Sequence, residues 1–153
     1  MNAFIIIAVI VLLALAPLWH FRPTRGQRRQ ARLRETAAMN GLFVEFRDLP
    51  LPPARRERLP AAERQVLYYG CRLRPRRGDP VARVVWWREG EDWSSMPPRS
   101  ALPLQASRMP AAVLAMDTSA ASCGAYWRVE GDEQTVEQLA ALLRDWRDEI
   151  TPA

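Results

Sequence analysis

The first run of apolar positions, Ala3 to Trp19 (AFIIIAVIVLLALAPLW), contains no charged side chain. Its length predicts a helix of about 25 Å, close to the about 30 Å hydrocarbon core of a bilayer. Trp19 closes it with a side chain suited to a headgroup boundary. The pattern therefore predicts a transmembrane anchor over residues 1–21. Ala14-Leu15-Ala16 has the small-x-small form of a signal cleavage site, but no basic residue precedes the run and Pro17 follows it, which favours an uncleaved segment. The arginine-rich stretch after Pro23-Thr24 (RGQRRQARLRETAAMNG) predicts a basic juxtamembrane helix over 22–41, stopped at Asn40-Gly41. Leu33, Ala37 and Met39 give that helix only a thin apolar stripe.

Period-two alternation takes over at Leu42. Leu42, Val44 and Phe46 point one way and Glu45 and Arg47 the other, which predicts a half-buried strand. A proline-punctuated loop (DLPLPPARRERLPAAE) follows, with little helical pattern. Arg64 to Leu73 predicts a second strand with Leu67, Tyr69, Cys71 and Leu73 on one face. In Val81 to Glu89, Val84 and Trp86 alternate with Val85 and Trp87, so both faces are apolar and a central strand is expected. Residues 94–110 read as coil, Pro110 to Met116 as a short helix or an edge strand, and Ala125 to Glu130 as a last strand. From Asp132 onward, Val136, Leu139, Ala140, Leu143, Trp146 and Ile150 follow the helical period, with acids at its start. The expected fold class is α+β: an N-terminal transmembrane helix, then a cytoplasmic domain over 42–153. That domain would have about four mainly antiparallel strands under a C-terminal amphipathic helix.

Charge sharpens this reading. The net charge of +5 lies wholly in residues 1–35, with six arginines against Glu35; the remainder balances 16 arginines with 16 acids, and the chain has no lysine. So local an excess reads as a topogenic signal, and no nucleic-acid partner is expected. Arginines behind the span would place the N-terminus in the periplasm and the domain in the cytoplasm of a bacterial inner membrane, with Trp19, Arg22, Arg25, Arg28, Arg29 and Arg32 at anionic lipid headgroups. Residues 47–88 are still basic and 130–149 acidic. The simplest expectation is that these stretches face each other. The sharper one makes Arg55, Arg56, Arg58, Arg76, Arg77 and Trp87 a surface for a protein partner at the membrane.

Candidate chemistry is sparse. One histidine (His20, read as a boundary residue beside Trp19) and two cysteines fall short of a zinc ligand set, so no metal is expected. No phosphate-binding, dinucleotide-binding, nucleophile-elbow, HExxH or CxxC motif occurs, so no cofactor and no catalytic residue is assigned. Cys71 and Cys123 fall in expected strands, as buried reduced thiols.

An apolar N-terminal helix followed by Arg22-Pro23 and a basic helix resembles YajC, the single-span accessory subunit of the bacterial Sec translocase, over residues 1–35. Gly131-Asp132-Glu133 matches three letters of that family's GDEVVTxGG segment. The chain as a whole is similar to uncharacterised proteobacterial single-span membrane proteins. The expected function is a membrane-anchored, non-enzymatic interaction or accessory protein. The resemblance implies a translocase accessory role as the alternative. A third reading, an enzyme with a site in the Trp/Arg-rich region, would require a pocket beside Trp86 or Trp87.

Overall fold

The structure is a computed structural model that describes residues 2–15, 24–74, 78, 80–128 and 131–152. It divides into two compact units, Met1–Ala31 and Arg32–Ala153.

In the first unit, helix α1 (Asn2–Leu15) has 14 residues, about 21 Å of helix against an about 30 Å hydrocarbon core. Among the described residues, no helix is long and apolar enough to cross a membrane. This corrects the expected transmembrane anchor over 1–21. The single-pass inner-membrane placement, with a periplasmic N-terminus and a cytoplasmic domain, rested on that span and falls with it. Trp19, His20 and Arg22 lie outside the described residues. The expected basic helix is present as α2 (Arg25–Met39), and it ends where anticipated, with Gly41 at φ 76°. Its C-terminal half belongs to the second unit, where Leu33 and Ala37 are buried.

The second unit is built on one antiparallel sheet of six strands, ordered β1-β2-β6-β5-β3-β4. The strands are β1 (Phe43–Asp48), β2 (Gln65–Arg72), β3 (Val84–Glu89), β4 (Asp92–Met96), β5 (Val113–Thr118) and β6 (Ser122–Trp127). The α+β class therefore holds for this unit, while the expected count of about four strands was too low. One strand escaped the apolar pattern, and another, expected as a short helix or an edge strand, proves to be a central strand. The serine-rich β4 is an edge strand whose partner is β3, and edge positions do not need apolar side chains. β5 is central, but its alternation is interrupted between Val113 and Ala115, where the register shifts by one residue. Val113 consequently packs on one face of the sheet, while Leu114 and Ala115 both join the other.

One face of the sheet carries the main core. Leu67, Tyr69 and Cys71 of β2, Trp86 of β3, Met116 of β5 and Cys123, Ala125 and Trp127 of β6 meet α5 (Glu133–Ile150) there. The helix contributes Val136, Leu139, Ala140, Leu143 and Trp146, as its period predicts, and also Leu142. Trp86 and Trp146 meet edge to face with centroids 5.8 Å apart. The opposite face carries a second cluster of Leu49, Tyr68, Val85, Trp87, Ala115 and Tyr126. Phe46, expected inward, is 59% exposed. It stands on an edge strand, α5 lies over β2 and β6, and its ring meets the Arg34 guanidinium at 5.4 Å.

Candidate functional site

The second face becomes a site through the β1–β2 connection. Four prolines punctuate residues 49–64, and two of them set up helical turns, because a proline's fixed φ suits a helix start. Helix α3 (Pro53–Arg58) follows Pro52, and α4 (Ala61–Arg64) follows Pro60. The segment read as coil from sequence is thus two short turns. Arg64 ties them together by donating from Nε to the Leu59 carbonyl at 3.1 Å, and the Leu49 N–H donates to the Arg64 carbonyl at 2.7 Å. The result lays Leu49, Leu51 and Leu59 against the second cluster.

Between this connection and strands β3, β5 and β6 runs an open groove of about 400 Å³. Leu49, Leu51, Leu59 and Leu114 make its apolar lining. Arg55, Arg58 and Arg128 supply three cations and Glu63 a single acid; Arg88 borders the groove, but its guanidinium is turned to Trp93 and the Met109 carbonyl on the α5 side of the sheet. Arg128 approaches Glu63 at 4.0 Å, and Arg55 pairs with Glu89 at 2.8 Å. Both pairs are largely exposed and so contribute little to stability. Hydrogen bonds from the Trp87 indole and Ser94, with the Arg55 charge behind them, hold the Glu89 carboxyl below its usual range. Arg88 is held differently. Its guanidinium lies 4.9 Å from the Trp93 ring centroid, one terminal nitrogen donates to the Met109 carbonyl at 3.4 Å, and its Nε is buried without a hydrogen-bond partner.

Of the residues singled out from sequence, Arg55 and Arg58 line this groove. Arg56 is not among its lining residues and pairs with Asp48. Trp87 is only 7% exposed and offers no contact surface; its indole N–H donates to Glu89 at 3.0 Å, so it acts by orienting Arg55's partner. Arg76 and Arg77 lie outside the described residues. Trp86 is also buried, so both tryptophans fill core rather than flank a cavity. Arg88, Arg128 and all four leucines went unmarked in the sequence. Leu49, Leu51 and Leu59 sit singly among prolines and arginines, and Leu114 lies within an apolar run whose facing only the bulge in β5 sets.

A second, more open depression of about 460 Å³ is lined by Arg47, Asp48, Arg83, Asp117, Ser119 and Tyr126. Asp117 is its centre. The Tyr68 hydroxyl donates to Asp117 Oδ1 at 2.9 Å and the Tyr126 hydroxyl to Oδ2 at 3.0 Å. Tyr68 reaches two strands away because Gly70 and Gly124, paired across β2 and β6, leave room for it. A Cβ on Gly124 would overlap the Tyr68 ring and hydroxyl, and one on Gly70 would overlap the rings of Phe43 and Tyr68. Burial raises the Asp117 carboxyl above its usual range, against the two phenol hydrogen bonds and the charges of Arg47 and Arg83. Both phenols are raised as well, by burial and then by the Asp117 charge. With each oxygen already bonded, this carboxylate braces β2, β5 and β6.

The two thiols face each other across β2 and β6 and are free. Burial, with the charges of Cys71 and Asp117, pushes Cys123 up to about 12. Burial also raises Cys71, moderated by Arg147 3.7 Å away. Neither is a nucleophile at neutral pH. Among the described residues, no three histidine, cysteine or acidic side chains are placed to hold a metal ion. No family model, curated protein or solved structure matches the chain. Gly131 and Asp132, two of the three YajC-like letters, precede α5, and Asp132 caps it.

Proposed function

We propose that the protein is a non-enzymatic interaction module whose groove receives a segment of a partner protein carrying a leucine-like side chain flanked by carboxylates. The observation that supports this reading is the pairing of an apolar lining with the guanidinium groups of Arg55, Arg58 and Arg128 and one glutamate in an open groove of about 400 Å³. A volume of this order accommodates a few side chains. Leucines reward an apolar anchor, and the arginine surplus rewards acids beside it while repelling basic segments. The groove also lies on the face of the sheet opposite α5, where Leu51, Leu59 and Leu114 pack against the second cluster and remain half-buried.

The test is fluorescence polarisation with three labelled decapeptides: alternating Leu/Glu, alternating Leu/Lys and alternating Ser/Glu. The Leu/Glu peptide should bind and weaken with added salt, while the other two bind at least about tenfold more weakly. Replacing Arg58 and Arg128 by glutamate should transfer the preference to the Leu/Lys peptide. Equal binding of all three, or no binding of any, contradicts the proposal.

A further inference from the structure

Helix α1 is apolar on every side. Phe4 is 80% exposed, Leu12 70%, and Ile5, Ile6, Ile7 and Ile10 58–59%. Successive side chains on a helix are about 100° apart, so Ile5, Ile6 and Ile7 cannot all turn toward one neighbouring helix. A helix that is apolar all round needs a cover that surrounds it. Two covers do so: a bundle formed by copies of this chain, or the hydrocarbon of a lipid surface.

The charge that follows separates them. Helix α2 opens with Arg25, Arg28 and Arg32, all exposed and spaced at i, i+3 and i+7, and no acid precedes Glu35. A bundle that gathered copies of α1 would also crowd these arginines together, at a cost in repulsion. Anionic headgroups would neutralise them instead. We propose that α1 buries in the hydrocarbon edge of an anionic lipid surface while the first turns of α2 hold its headgroups. The described helix, about 21 Å long, falls short of the about 30 Å hydrocarbon core and suits burial from one side of a bilayer. This inference does not rest on the groove, none of whose lining residues it uses.

The test is flotation of the purified full chain with vesicles of phosphatidylcholine alone, or of phosphatidylcholine mixed with phosphatidylglycerol. The chain should float with the mixed vesicles and bind phosphatidylcholine at least about tenfold more weakly. Ile6→Asp with Ile10→Asp should abolish flotation. Arg25→Gln with Arg28→Gln and Arg32→Gln should remove the preference for the anionic lipid. All five positions are exposed, and near-ultraviolet circular dichroism of the tryptophans checks that the second unit stays folded. Equal binding to both vesicles overturns the inference. So does an oligomer that vesicles leave intact and that the isoleucine substitutions dissociate.

Discussion

Asp117 is held by two phenols while burial works against its charge, and the outcome is a carboxyl raised above its ordinary value. A raised folded-state value means that the protonated form is favoured by folding. The associated stability is fully present below the unfolded value of about 3.9 and is lost as pH rises through the folded value. Chemical denaturation of wild type and Asp117→Asn across pH 3 to 8 should therefore show the wild type losing ground to the variant as pH rises, then running parallel. A wild type that gains on the variant over that interval would contradict this description. Nothing in the sequence around Asp117 signals the brace, because its partners come from positions 68 and 126. Reach across the sheet depends on the absence of side chains at Gly70 and Gly124.

At the level of elements, α5 illustrates local information at its clearest. Asp132 accepts from the Thr135 N–H at 2.9 Å, and the Thr135 hydroxyl returns a contact to the Asp132 N–H, a reciprocal cap at a helix start. Asp132→Ala should lower stability by about 1 kcal/mol, measured as a shift in the denaturation midpoint at unchanged slope; no shift would remove the cap from the account. The cap and the period of the buried face were legible because both lie within a few residues of one another. β2 was legible from its alternation and β3 from apolar residues on both faces. β6 was placed three residues late, at Ala125–Glu130 instead of Ser122–Trp127, because its first half is small residues buried on both faces. β4 and β5 were not legible in this way. One is an edge strand of small polar residues, and the other hides its period behind a bulge that only its pairing with β6 reveals. The turns at 53–58 and 61–64 are too short for a helical period to register; proline placement alone set their starts.

Across the whole molecule, the apolar first segment was legible as a helix but misread as a membrane span, since 17 uncharged residues in sequence gave a described helix of 14. Charge was equally visible in sequence and equally misplaced. The basic stretch 47–88 and the acidic stretch 130–149 were expected to face each other. Instead, the connection that carries Arg55 and Arg58 packs on one face of the sheet and α5 on the other, and Arg74–Asp148 at 3.6 Å joins the two stretches. The two arginines therefore line a groove with leucines instead of neutralising the C-terminal helix. The half of the site supplied by Leu114 and Arg128 depends on strand order, which no local pattern encodes. The most direct measurement is amide and methyl NMR of the isotope-labelled chain titrated with the Leu/Glu peptide. Saturable shifts should concentrate on Leu49, Leu51, Leu59 and Leu114 and leave the α5 face still. Shifts confined to α5, or no shifts at all, would contradict the assignment of the groove as the binding surface.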